Sequence, residues 1–383
     1  MKKLAYAILS LSALSILTGA AVAPALGHIF EHFHNENPLF VQLIASLPAL
    51  FIIISSLLFP FFCKHIKLHT LSIIALCLYA GAGASCFLFD KLLPILIMRA
   101  LLGISVGIIM PLTTGLIARF FPAKDQSRLM GYSASMNEFG ALIATLVSGM
   151  LVSINWNYTF LIYLIGIIPL ILVVCFVPNE SLIPEKKQIE KGMFIKFMPC
   201  IFGMMLTMML FFTFVINFAN ITLHSGAVAL GIMTLLMATR DALALVIDLN
   251  YMRIARHNRQ ILPYVAPITF LIGFAALAYS TQIGFLIIGI VCLAIANGVG
   301  IPQLNTVVAI RGGKDVVTSV MPYMSIAFFL GEFLTPFVVR PTSKLLGGFD
   351  TAPYVVGIII ACIFLIHTFV CRNFLTIQKE DEQ

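Results

Sequence analysis

Two carboxylates sit inside apolar runs long enough to cross a bilayer, in Asn137-Glu138-Phe139-Gly140 and in Gly331-Glu332-Phe333-Leu334. An ionised acid at membrane depth costs about 3 kcal/mol even on the mildest insertion scale, so it is kept where it faces a water-filled path or a partner. The chemistry open to such a group is reversible protonation, with desolvation raising its affinity for the proton. Glu138 shares a helical face with Gly131, Ser135 and Thr145, a small and polar stripe that faces protein. It is expected to carry a proton or to hold a structural hydrogen bond or ion pair. Glu332 shares its face with Ser325 and Thr335 and is followed four residues on by Pro336. That proline bends a helix, which suits a moving gate or, alternatively, a kink stabilised by the carboxyl.

Four more polar residues lie within apolar stretches. Arg99 falls near the middle of one, where a permanent guanidinium needs an anion or helix carbonyls. Arg240 and Asp241 are consecutive, so on a helix their side chains diverge by about 100° and need not pair. With Asn137 they form the candidate substrate-binding set: Arg99, Asn137, Arg240 and Asp241. The string His28-Ile29-Phe30-Glu31-His32 matches H-x-x-E-H, but a five-residue match at the end of an apolar segment is better explained as an interfacial helix end than as a zinc site. Met204, Met205, Met208 and Met209 similarly read as adaptable packing or a greasy wall. No metal and no cofactor is expected, and the chain is not expected to be an enzyme.

The elements that must position these residues are transmembrane helices. Hydrophobic residues make up 60% of the 383, charged residues 10%, and mean hydropathy is +1.04, well outside the soluble range. Twelve apolar segments of helix-spanning length recur at roughly 4–26, 38–62, 66–89, 92–118, 127–152, 156–177, 197–219, 226–249, 262–280, 283–307, 316–339 and 353–375. The net charge of +7 does not indicate nucleic acid. Under this topology 18 of the 23 Lys and Arg fall on one face, three on the other and two, Arg99 and Arg240, inside spans. The positive-inside rule then puts both termini in the cytoplasm. The start of the chain resembles a secretory signal, with Ala21-Val22-Ala23 as the cut. Its apolar stretch is too long and Pro24 too close, so it is expected to stay as the first span. The eight cysteines read as small apolar residues.

The longest polar interruption divides the chain into a bundle over 1–177, a cytoplasmic linker over 178–195 and a second bundle over 196–383. The halves repeat. Lys64-His65-Ile66-Lys67 matches Arg253-Ile254-Ala255-Arg256 at an offset of 189, Pro111 matches Pro302 at 191, and Glu138 matches Glu332 at 194.

These residues resemble the major facilitator superfamily over essentially the whole chain. The loop after the second span, Phe59 to Lys67, keeps only Lys64 and Lys67 of the family's charged loop motif, and Arg253 and Arg256 mark its second copy. Arg99-Ala100-Leu101-Leu102-Gly103 followed by Gly107 resembles the Arg-x-x-x-Gly motif. Gly131, Gly140, Ala144-Thr145 and Ser148-Gly149 resemble the antiporter motif of the fifth span, with Thr145 in place of its proline. The likeness is greatest to the twelve-span drug:proton antiporters.

The resemblance implies an all-α membrane protein of the major facilitator fold, twelve transmembrane helices in two pseudo-symmetric six-helix bundles around a midplane cavity. It further implies proton-coupled export of small organic or amphiphilic compounds, with Glu138 and Glu332 as coupling acids lining one shared space. Uptake of a small organic anion or nutrient, and a receptor that has lost turnover, are the alternatives. Expected partners are a small-molecule substrate, protons and the lipid bilayer of a bacterial cytoplasmic (inner) membrane, with no nucleic acid and a monomeric state. No segment binds nucleotide phosphate, so an ion gradient is the expected energy source.

Overall fold

The computed structural model describes residues 2–178, 195–226, 228–257, 259–279 and 282–376; the expected linker lies almost entirely outside them. Two compact units result, Met1–Glu185 and Lys186–Gln383. All regular structure among the described residues is helical, as a lipid solvent requires when it can satisfy no backbone group.

In the first unit the spans are Pro38–His65, Leu68–Leu88, Leu92–Phe120, Ala123–Val152 and Trp156–Phe176, preceded by a broken first span. That first span was expected to be one helix. It consists of Lys3–Ser12 and Leu17–His32, bent by 52°. The helix stops where Leu14 and Ser15 turn back to Leu11 and Ser12, and past the break Pro24 opens a single 3-10 turn. The segment is nonetheless core, with Ala7, Leu11, Leu17 and Val22 buried. The sixth span also departs from a regular helix, beginning as 3-10 over Trp156–Gly166 before turning α.

The second unit holds Met198–Ser225, Leu230–His257, Leu262–Ala278, Ile283–Gly312, Val320–Leu345 and Ala352–Val370. Among the described residues ten helices are long and apolar enough to cross a membrane, and the bent pair makes eleven. Leu262–Ala278, at 17 residues, is a shorter apolar helix of about 26 Å, so the expected twelve spans are matched by eleven and this shorter helix.

The tenth and eleventh spans belong to one unbroken helical run of 63 residues, Ile283–Leu345. Straight, it would reach about 95 Å, three bilayer cores. It reverses instead. Leu304 lies against Gly203 while Gly331 lies against Met205, although a straight helix would hold Leu304 and Gly331 about 40 Å apart. Both limbs then bury Leu304, Val307, Val308, Val320, Met324 and Ala327 around Cys200 and Met204 of the seventh span. Met204 and Met205 of that span are packing residues of this core.

Glycine contacts give the internal repeat a structural register. A Cβ on Gly107 would lie 2.5 Å from the Ile52 carbonyl oxygen, and one on Gly298 would lie 2.8 Å from that of Ala244. On Gly140 it would meet the Ala13 oxygen at 2.3 Å, and on Gly331 the Met205 oxygen at 2.4 Å. Each pair of glycines is 191 residues apart, and each pair of contacted carbonyls 192. The two units therefore pack corresponding helices backbone to backbone at the same places. In this register Glu332 corresponds to Ala141, not to Glu138: the offset of 194 between the acids is three residues too long, which rotates them about 60° apart on their helices.

Candidate functional site

Arg99 is fully buried, and every one of its nitrogens has an acceptor. Nε donates to the Ile44 carbonyl at 2.6 Å, Nη1 to the Tyr163 hydroxyl at 2.5 Å and Nη2 to the Thr18 carbonyl at 2.6 Å; the Tyr163 hydroxyl donates in turn to Thr18 at 3.0 Å. These carbonyls are available for a reason that lies in the chain. Pro48 has no N–H, so the carbonyl four residues before it, Ile44, loses its helical partner. Thr18 lies just past the break in the first span. The same device recurs at Pro111, whose freed Gly107 carbonyl takes a bond from Ser56 Oγ at 2.9 Å.

The Arg-x-x-x-Gly spacing makes the reach possible. Gly103, one turn after Arg99, has its Cβ position 2.4 Å from the Pro48 carbonyl oxygen, so only glycine lets the fourth span close onto the second. Around the break, Ser148 Oγ donates to the Ala21 carbonyl, and Ser12 and Ser133 hydroxyls meet at 2.6 Å. Arg99, Tyr163 and Ser148 thus tie spans one, two, four, five and six together.

The second unit's arginine is built differently. Arg240 and Asp241 are 7% and 5% exposed and do pair, Nη2 to Oδ1, against the divergence expected of adjacent helix positions. The long arginine stem folds back alongside its neighbour. The guanidinium carbon lies 4.3 Å from the Phe211 ring centroid and 5.4 Å from that of Phe214, both on the seventh span. Nε and Nη1 meet no acceptor among the described residues.

Glu332 is 4% exposed, beside the Gly331 contact with the seventh span. One turn on, Thr335 Oγ1 bonds the Gly331 carbonyl at 2.7 Å and the Met209 carbonyl at 3.5 Å. Glu138 is half-buried, and the Asn137 amide oxygen is buried with no donor among the described residues. Lys64, Lys67 and Arg253 are exposed at helix ends, Arg253 donating to Asn250 Oδ1 at 3.3 Å; the Arg256 side chain lies outside the described residues. At the end of the first span His28 Nδ1 pairs with Glu31 at 3.0 Å, and the His32 ring packs tilted against Trp156 with centroids 4.7 Å apart. Among the described residues no three His, Cys, Asp or Glu converge as metal ligands.

A family model, the Major Facilitator Superfamily, matches residues 8–336. The chain belongs to this family. Its members are transporters, not enzymes. The fold matches solved facilitators over nearly the full chain. The nucleoside transporter NupG aligns with TM-score 0.74, covering 98% of this chain and 100% of that one at 13% identity. A bacterial homologue of the human lysosomal transporter Spinster aligns at 0.73, covering 97% and 95% at 13% identity. The D-xylose–proton symporter aligns at 0.71, covering 94% and 95% at 16% identity. A sequence match to the multidrug transporter protein MdtP of Bacillus subtilis (strain 168) is 30% identical over 100 residues, which is 26% of this chain and 18% of that protein.

Within this facilitator, Tyr163, Phe211 and Phe214 emerge only from the structure. The signal that leads to Arg99's acceptor was present in the chain as Pro48, four residues after Ile44. The aromatic neighbours of Arg240 have no such signal, since aromatic residues recur along the chain.

Proposed function

We propose that this facilitator is a proton-coupled exporter of small organic compounds, with Glu138 and Glu332 as the coupling acids and Asn137, Arg240 and Asp241 as substrate contacts. The observation that carries the reading is Glu332, a carboxyl 4% exposed in a membrane span, one helical turn before Pro336. A carboxyl at that depth is kept where it serves a partner or an ion path, and the proline one turn on bends the helix beside it. Export over uptake is supported by the fifth-span motif and by the short likeness to a multidrug transporter. Arg99 is assigned to holding the first unit together, because its nitrogens are already engaged. Lys64, Lys67, Arg253 and Arg256 are assigned to the loop motifs flanking the spans.

The test uses purified protein in proteoliposomes and three labelled probes of one shape and different charge: naphthalene-2-carboxylate, its carboxamide and its methylammonium analogue. An antiporter accumulates its probe in vesicles made acidic inside, whereas a symporter needs acid outside. Glu138→Gln and Glu332→Gln should each abolish gradient-driven accumulation and leave counterflow, because the amide keeps the shape but cannot titrate. Accumulation unchanged in both variants would refute the coupling role, and accumulation only with acid outside would replace export by uptake.

A further inference from the structure

A facilitator with two buried arginines holds them in opposite states. Arg99 has an acceptor at each of its three nitrogens, two carbonyls freed by Pro48 and by the break in the first span and one tyrosine hydroxyl. Arg240 does not. A guanidinium has five N–H groups in one plane; one nitrogen of Arg240 serves Asp241, and the three N–H groups on Nε and Nη1 have no acceptor among the described residues. The residue is nevertheless 7% exposed, so bulk water does not satisfy them either. Buried donors left unmet in a native protein call for a further partner.

The surroundings say what kind. The Phe211 and Phe214 rings lie 4.3 and 5.4 Å from the guanidinium carbon, which favours the cation but supplies no acceptor for the N–H groups on Nε and Nη1. What fits an arginine edge is a planar or tetrahedral oxyanion, bound through two parallel N–H···O bonds. What fits beside the rings is an apolar or aromatic body. Asp241 holds the side chain from Nη2 and fixes the direction of the open edge. Arg240 lies ten residues into its span, about 15 Å from the start, which is deep for a lipid headgroup.

We propose that Arg240 receives the acidic group of the transported compound, so that the substrates of this protein are organic anions with an apolar or aromatic body. Arg240 is the binding residue, Phe211 and Phe214 form the wall, and Asp241 is a positioning residue. The half-buried Phe211 is the side chain that moves when the anion enters. This rests on the transport reading above and narrows it to one class of substrate.

Binding of the three naphthalene probes is measured by calorimetry on the full-length protein in phosphatidylcholine nanodiscs. The carboxylate should bind at least tenfold more tightly than the carboxamide, and the methylammonium compound more weakly still. Arg240→Gln should erase the preference, making carboxylate and carboxamide equal. Arg240→Lys keeps the charge without the paired edge and should retain only part of it; it also serves as the readout if the glutamine variant does not fold. Arg99→Lys should leave the preference in place. Equal binding of carboxylate and carboxamide to the wild type, binding of none of the three, or a preference that survives in both Arg240 variants would overturn the proposal. Adding phosphatidylglycerol separates the two sources of oxyanion: an Arg240-dependent loss of carboxylate binding would assign the site to a lipid phosphate and overturn the substrate reading. Counterflow keeps the two readings apart. Carboxylate binding without exchange would sink transport of this class and leave the anion site, whereas exchange of amide or ammonium without carboxylate binding would do the reverse.

Discussion

The Arg99 clamp permits a stability experiment whose size follows from its geometry. In Arg99→Lys one ammonium replaces three nitrogens that reach the Ile44 carbonyl, the Thr18 carbonyl and Tyr163. An ammonium donates from a single point and keeps the Thr18 and Tyr163 side, leaving Ile44 unmet. A bond from a charged donor is worth about 1.5–3 kcal/mol, and this is the expected cost of the substitution. Pro48→Ala supplies an N–H at residue 48, which bonds Ile44 within the helix and removes its need for Arg99. The cost of Arg99→Lys should then fall by about 1.5–3 kcal/mol, which is the coupling energy of the double-mutant cycle. The assay is equilibrium unfolding of all four proteins in mixed micelles titrated with dodecyl sulfate. Pro60→Ala is the control, since Pro60 lies on the same span and frees the Ser56 carbonyl, which Arg99 does not touch. Effects of Arg99→Lys and Pro48→Ala that add within about 0.5 kcal/mol, or equal coupling to Pro60→Ala, would refute the idea that proline creates the acceptor.

Two further outcomes follow from the same packing and topology. Gly140→Ala places a Cβ 2.3 Å from the Ala13 carbonyl oxygen, whereas Gly81 has nothing within 4 Å; thermal melts should show a loss of about 1–3 kcal/mol for Gly140→Ala and none for Gly81→Ala, and equal effects would contradict the backbone contact between spans one and five. In a cysteine-free background, single cysteines at Asn35 and Lys187 should label from opposite sides of intact cells, only position 35 being reached by an impermeant reagent; labelling of 187 alone would invert the expected orientation.

The positions of the spans were legible in the chain because the constraint that sets them is local. Within a bilayer each backbone must bond to itself, so an apolar stretch of the right length is already a helix before any neighbour is known. The family's motifs were legible for a related reason: Gly103, Gly107, Gly140 and Pro111 act at single positions through the absence of a Cβ or an N–H. Breaks are harder to see. The 52° bend in the first span follows from carbonyls satisfied by Arg99, Tyr163 and Ser148, residues 50 or more positions away, and hydropathy does not register it.

The roles of the buried charges were decided only in three dimensions. Arg99 and Arg240 look alike as lone arginines in apolar runs, yet one ends on three acceptors and the other on one. The difference is which helix each span packs against, and whether that helix has a carbonyl to spare. The repeat shows the same division. Its existence could be read from Pro111 and Pro302, but the glycine contacts set the register at 191, which makes Ala141, not Glu138, the counterpart of Glu332 in the repeat. A residue's type states what it can bond, but the partner that arrives depends on packing between helices distant in sequence.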